Sequence, residues 1–173
     1  MTLSRLFIIL TFLTVSSIAT FASYIFIPMN TDQTDHLKAY GLDYWVLEQG
    51  AETWWLLNYE GGSFVLPNST SIEKECKARG VSYKVISDAA FNSILTTIND
   101  PENNMEAIKM EKAPRIAVYT PTVNERGEEI NPWDDAVTLV LTYAEIPFDK
   151  VYDREIIEGK LTKYDWLHLH HED

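Results

Sequence analysis

The stretch Thr53 to Pro67 reads TWWLLNYEGGSFVLP. Thr53 to Asn58 is an aromatic and aliphatic run of strand length, and it leads directly into Tyr59-Glu60-Gly61-Gly62. A glycine pair after a strand does one of two things: it turns the chain sharply, or it lets backbone approach a ligand. Phe64 to Leu66 follows, and then Thr70-Ser71-Ile72-Glu73 supplies a capping-box pattern that starts a helix ending at Gly80. Read this way, the stretch is one strand passing through a loop into a helix.

Working outward, the same unit recurs. Upstream, Ser23 to Pro28 (SYIFIP) reads as a buried strand, Asn30 to Asp35 as a polar loop, and His36 to Gln49 as a helix closed by Gly50. Leu37, Tyr40, Tyr44 and Leu47 mark one face of that helix, and Leu42, Trp45 and Val46 widen the apolar arc, so it must be covered on more than one side. Downstream, Ser82 to Ser87 is a strand, Asp88 can cap a helix over Ala89 to Ile98, and the polar Asn99 to Ala113 reads as a surface connection. Arg115 to Thr120 is the next strand, followed by a charged loop, Pro121 to Ile130. Asn131, Pro132, Asp134 and Asp135 mark the start of a helix over Ala136 to Glu145, which Pro147 stops. Phe148 to Tyr152 and Tyr164 to His170 are strands flanking a short helix from Asp153 to about Leu161. Strand and helix thus alternate six times, and the strands lack clean polar alternation. That pattern predicts an α/β fold with a doubly wound, mostly parallel six-stranded sheet, Rossmann-like, in the order 3-2-1-4-5-6.

Composition fits one globular domain: 173 residues, 46% hydrophobic and 23% charged, with a single cysteine and so no internal disulfide. Arg5 is the only charge before Asp32, and Leu6 to Ile27 is an uncharged run of 22 residues. A basic start, the apolar Leu6 to Val15 and the small-residue site Thr20-Phe21-Ala22 predict a signal peptide over 1–22, with residues 23–173 as the α/β domain. The expected location is periplasmic or extracellular. Two alternatives stand beside it: an uncleaved membrane anchor, because 22 apolar residues can span a bilayer, and a buried first strand of a cytosolic protein. The net charge is −12, and loss of Arg5 with the leader makes it −13. Such a surface repels nucleic acid and anionic lipid. The expected partner is a small-molecule or envelope-derived substrate, with membrane contact only if residues 6–27 stay uncleaved.

In a parallel sheet, ligands bind beyond the carboxyl ends of the strands. That rule makes Asn58, Gly61, Gly62 and Thr120 the ligand-binding candidates, and it puts them on one rim with the closing run KYDWLHLHHED, Lys163 to Asp173. The catalytic candidates are His170, His171, Glu172 and Asp173. His168 and His170 share one face of the last strand, and imidazoles with carboxylates suit zinc, iron or manganese. Three roles stay open for this cluster: metal binding, metal-free catalysis, or a hydrogen-bonded strand end. No cofactor can be named. The loop NTDQTD after the first strand has no glycine for a dinucleotide turn, and Gly61-Gly62-Ser63-Phe64 does not match G-x-S-x-G. Cys76, four residues from Ile72 on one helix face, reads as a buried core thiol.

The phrases HLKAYGLDYWVLEQG, WLLNYEGGSF, EKAPRIAVYTP, NPWDDAVTLVLTYAEIPFDKVYD and YDWLHLHHED resemble a family of larger exported bacterial proteins labelled asparagine synthetase B. The resemblance covers nearly all of residues 23–173. The family's proteins continue past the HHED phrase, which implies that this chain is an N-terminal portion. The labelled activity itself does not carry over. Position 2 is Thr2 rather than a nucleophilic cysteine, and the S-G-G-x-D-S loop is absent. The family looks like class I glutamine amidotransferase-like or flavodoxin-like α/β proteins. It implies an exported hydrolase or amidotransferase-like enzyme, with a non-catalytic glycan- or peptide-binding envelope module as the alternative, using tryptophans such as Trp45, Trp54, Trp55, Trp133 and Trp166.

Overall fold

The computed structural model describes residues 23–120, 128 and 136–169. The strands are β1 (Ser23–Ile27), β2 (Thr53–Leu57), β3 (Ser63–Pro67), β4 (Lys84–Ser87), β5 (Glu106–Met110), β6 (Ile116–Tyr119), β7 (Asp149–Val151) and β8 (Trp166–Leu169). The helices are α1 (His36–Glu48), α2 (Thr70–Arg79), α3 (Asp88–Ile98), α4 (Ala136–Ala144) and α5 (Asp153–Ile157). The single six-stranded, mostly parallel Rossmann-like sheet expected from the sequence does not form. Instead there are two sheets, a five-stranded one ordered β4-β1-β3-β2-β5 and a three-stranded one ordered β7-β6-β8. Every pairing in the first is antiparallel, and both pairings in the second are parallel.

Two strands that the alternation passes over account for the difference. Phe64 to Leu66 belongs to β3, so the 53–67 stretch is a hairpin, with Trp54 opposite Val65 and Trp55 opposite Phe64. The supposed surface connection contains β5, which adds to the outer side of β2 with Trp54 opposite Lys109. Continuous apolar strands signal burial on both faces, and a sheet achieves that in either strand direction when helices cover both sides. Here α1 and α2 cover one face, packing Ala39, Leu42, Val46, Ile72 and Cys76 against Ile25, Ile27, Phe64 and Leu66. On the other face α3 packs Phe91 and Ile98 against Phe26, Leu56 and Val65.

Local signals place the helix ends. Asp35 caps α1 by accepting from the Lys38 N–H at 3.0 Å. Ser69, one residue ahead of the expected box, caps α2 by accepting from the Ile72 N–H at 3.2 Å. Ser87 rather than Asp88 caps α3 through the Ala90 N–H.

The second sheet attaches through α1. Ile116, Val118 and Leu141 form a small core that Tyr44 of α1 joins, and the Tyr44 hydroxyl donates to the Pro114 carbonyl at 2.7 Å. The tightest approach is at Gly41, where an added Cβ would lie 1.7 Å from the Ala144 carbonyl oxygen at the end of α4. Around it, Lys38 and Arg79 both pair with Glu145, at 2.7 and 3.2 Å, and the Tyr143 hydroxyl donates to Asp35. A glycine inside a helix costs about 1 kcal/mol relative to alanine, so Gly41 is retained against propensity because backbone occupies the space. Gly41→Ala is therefore expected to lose about 2 to 3 kcal/mol of stability in urea unfolding despite its better helix propensity. Hydrogen exchange should quicken in α4 and β6 more than in β1 and β3. A stabilised variant would refute the contact.

Candidate functional site

β6 is the middle strand of the parallel sheet. The chain leaves it through α4 to β7 on one side, and returns through α5 to β8 on the other. Strand order therefore reverses between β6 and β8, and ligand crevices in parallel sheets open at the carboxyl ends of such a pair. Tyr119 of β6 is level with Val151 of β7 and Leu169 of β8, so three strand ends share one edge.

Alternation along β6 puts Val118 and Thr120 on one face and Tyr119 on the other. His168 is opposite Val118 in register and shares the Thr120 face. Thr120 is 1% exposed. Its N–H donates to the Val151 carbonyl at 3.0 Å, while its hydroxyl is buried with no hydrogen-bond partner among the described residues. Leaving a buried hydroxyl unsatisfied costs about 1 to 3 kcal/mol, and a ligand atom at this edge could offset that cost. On the opposite face the Tyr119 hydroxyl donates to Asp153 Oδ1 at 2.6 Å. A hydroxyl, an imidazole and a phenol–carboxylate pair thus occupy the ends of neighbouring elements, groups suited to accepting and donating protons.

The shared rim expected from one parallel sheet falls with that sheet. Thr120 lies at the parallel edge, whereas Asn58, Gly61 and Gly62 form the β2–β3 turn of the antiparallel sheet. Asn58, with φ of 60°, donates its side-chain amide to the Asn104 carbonyl at 2.9 Å. Of the two readings of the glycine pair, the structure has the turn: the Gly62 N–H donates to the Tyr59 carbonyl at 3.0 Å. Gly61 has a φ of +82°, and a Cβ there would come within 2.4 Å of the Met29 carbonyl oxygen. The close backbone approach is to the chain's own loop after β1. That loop is braced by Gln33, whose amide donates to the Pro28 carbonyl and accepts from the Ser82 N–H. The catalytic candidates His170, His171, Glu172 and Asp173 lie outside the described residues, as do leader residues 1–22, loop residues 121–127 and 129–130, and residues 131–135 with the expected helix start Asn131, Pro132, Asp134 and Asp135 and with Trp133. Among the described residues no group of three or more His, Cys, Asp or Glu side chains could hold a metal ion. No described helix is long and apolar enough to cross a membrane. Cys76 is buried, and burial pushes its thiol up to about 11, which suppresses thiolate chemistry.

At the opposite, amino edge of the parallel sheet is a groove of about 230 Å³, lined in part by Tyr44, Arg115, Phe148, Asp149 and Tyr164. The Tyr44, Arg115, Asp149 and Tyr164 side chains of this groove are all engaged in hydrogen bonds. Arg115 makes two bonds to Asp165, at 2.9 and 3.1 Å, and Tyr164 donates to Asp149 at 2.9 Å. The Arg115 hydrogen bonds hold the Asp165 carboxyl well below the usual carboxylate range. This groove fastens the strand starts together.

The titratable group that the sequence reading passed over is Asp43. It sits within the apolar arc of α1, between Leu42 and Tyr44, which is the signal that could have found it. It is 5% exposed, and burial pushes its carboxyl up to about 7. The neighbouring Thr53 hydroxyl opposes that rise, at a geometry short of a full hydrogen bond. No charged side chain contributes to the shift. Asp43 belongs to the interface between α1 and β2, so its chemistry is that of stability. A carboxyl raised on folding holds its proton in the folded state after the unfolded chain has lost it, so stability falls as pH rises from about 4 to about 7 and then levels. Asp43→Asn should remove that part of the slope. In urea titrations the variant's advantage over the parent should grow across this window to a few kcal/mol at most, and an advantage independent of pH would contradict it. No protein-family model, curated protein or solved structure matches the chain.

Proposed function

We propose that the chain is an exported hydrolase or amidotransferase-like enzyme acting on a small polar or envelope-derived substrate, with its site at the carboxyl edge between β6 and β8. One observation carries this reading: the strand-order reversal lies where the orphaned, fully buried Thr120 hydroxyl and His168 share a face. A hydroxyl that both donates and accepts can orient a substrate carbonyl or amide, and an imidazole on the neighbouring strand is a group that can accept or donate a proton. The candidates His170, His171, Glu172 and Asp173 follow β8 directly in the chain. Support for amide chemistry comes from the likeness of the resembled exported family to class I glutamine amidotransferase-like proteins, not from its asparagine synthetase B label, whose activity does not carry over. The basic, apolar and small-residue order from Arg5 to Ala22 points to export.

Thr120→Val keeps the side-chain shape and removes the hydroxyl. Deleting an unsatisfied buried hydroxyl should leave stability unchanged or slightly raised, while ammonia release from L-glutamine, L-asparagine and simple primary amides should fall at least about tenfold, with Thr120→Ser restoring most of it. Unaltered turnover in the valine variant, or no release from any of these amides by the parent protein, would sink the reading. For export, amino-terminal sequencing of envelope-fraction protein should begin at Ser23, and a protein still beginning at Met1 would favour the anchor.

A further inference from the structure

We propose that the α3-covered face of the antiparallel sheet carries, beyond the start of that helix, a binding site for a neutral saccharide. Register builds it. Tyr24 is paired with Pro67, and Val65, Trp54 and Lys109 are successive partners across β3, β2 and β5. Paired residues project to the same side of a sheet, and Glu52, two residues before Trp54, completes the rim. Tyr24, Glu52, Trp54, Val65 and Pro67 line a concavity of about 360 Å³, within the size range of small-molecule sites.

The aromatic walls are fixed in advance. Phe91 of α3 packs against Tyr24 at 4.8 Å between ring centroids and against Trp54 at 5.8 Å, while both rings remain partly exposed. Little side-chain freedom is then left to lose on binding. At the rim, Lys109 Nζ lies 2.6 Å from Glu52 Oε2, and both side chains are substantially exposed.

This combination selects among ligands. A cation would suit two aromatic rings and a carboxylate, but the charge of Glu52 is already compensated by Lys109. An anion would find Lys109 already paired with Glu52 and would approach a chain of net charge −12. A pyranose ring satisfies every group. Its C–H face is apolar with partial positive charge on hydrogen, which meets the negative face of an aromatic ring. Its adjacent hydroxyls can each donate and accept, matching an acceptor-only carboxylate beside a donor-only ammonium. The site belongs to the antiparallel sheet, separate from the β6–β8 edge, so it stands or falls independently of the amide chemistry.

Calorimetry and ¹H–¹⁵N spectra of the full chain, titrated with methyl glucoside, maltose, cellobiose and chitobiose and in parallel with choline, test it. At least one neutral sugar is expected to bind saturably, at about millimolar concentration for so open a site, and to shift the Trp54 indole N–H resonance. Glu52→Gln and Lys109→Met, both at exposed positions that leave the core intact, should each weaken binding about tenfold. Trp54→Phe should weaken it while retaining the contact with Phe91. Saturable binding of choline without any sugar, no saturable binding at all, or sugar binding unchanged in both rim variants would overturn the assignment.

Discussion

The architecture depends on the approach of α1 to α4 at Gly41 and the Ala144 carbonyl. Helix α1 buries Ala39, Leu42 and Val46 on the antiparallel sheet and offers Tyr44 to the core of the parallel one. A side chain at position 41 would separate the two. Because α4 must lie almost backbone to backbone on α1, the parallel sheet has one place to dock, and the ion pairs of Glu145 with Lys38 and Arg79 sit around that contact. Those pairs are partly exposed, so they are better understood as setting orientation than as supplying much stability. The shape constraint is stronger than the charges around it.

The same division separates the molecule's two chemical surfaces. The parallel sheet presents strand ends, where backbone geometry converges and Thr120 carries an unsatisfied hydroxyl. The antiparallel sheet presents a face, where register alone sets Tyr24, Trp54, Glu52 and Lys109 around a concavity. Asp43 belongs to neither surface. It is a carboxyl held in the seam between α1 and β2, and it makes the packing of that seam sensitive to pH.

Much of this was legible along the chain. Helices α1 to α5 and strands β1, β2, β4, β6, β7 and β8 fall close to where apolar runs, Gly50, Gly80 and Pro147 put them, since each signal acts within a few residues. The all-round apolarity of α1 correctly implied cover on several sides. Strands β3 and β5 were missed for different reasons. Residues 64–66 are short and follow two glycines, so they read as the tail of a loop. Residues 106–110, EAIKM, form an edge strand whose mixed polarity resembles a surface connection. The candidate site was legible only in part. Thr120 ends a strand that the sequence locates, but its burial comes from packing. Asn58, Gly61 and Gly62 proved to serve a turn. Asp43 was visible as an acid in an apolar arc and was passed over.

By itself the sequence determined where most strands and helices lie, that the central strands are buried, and that the chain is acidic with a long uncharged run after Arg5. Tertiary structure decided strand direction, the division into two sheets and the placing of Thr120 and His168 on one face of the parallel sheet. The physical reason is that burial fixes how apolar a strand must be, and the same apolar strand can be buried running either way. Direction follows from which strands find one another, and that depends on a tight turn at Gly61 and Gly62 and a close contact at Gly41, neither of which leaves a periodic trace in the chain.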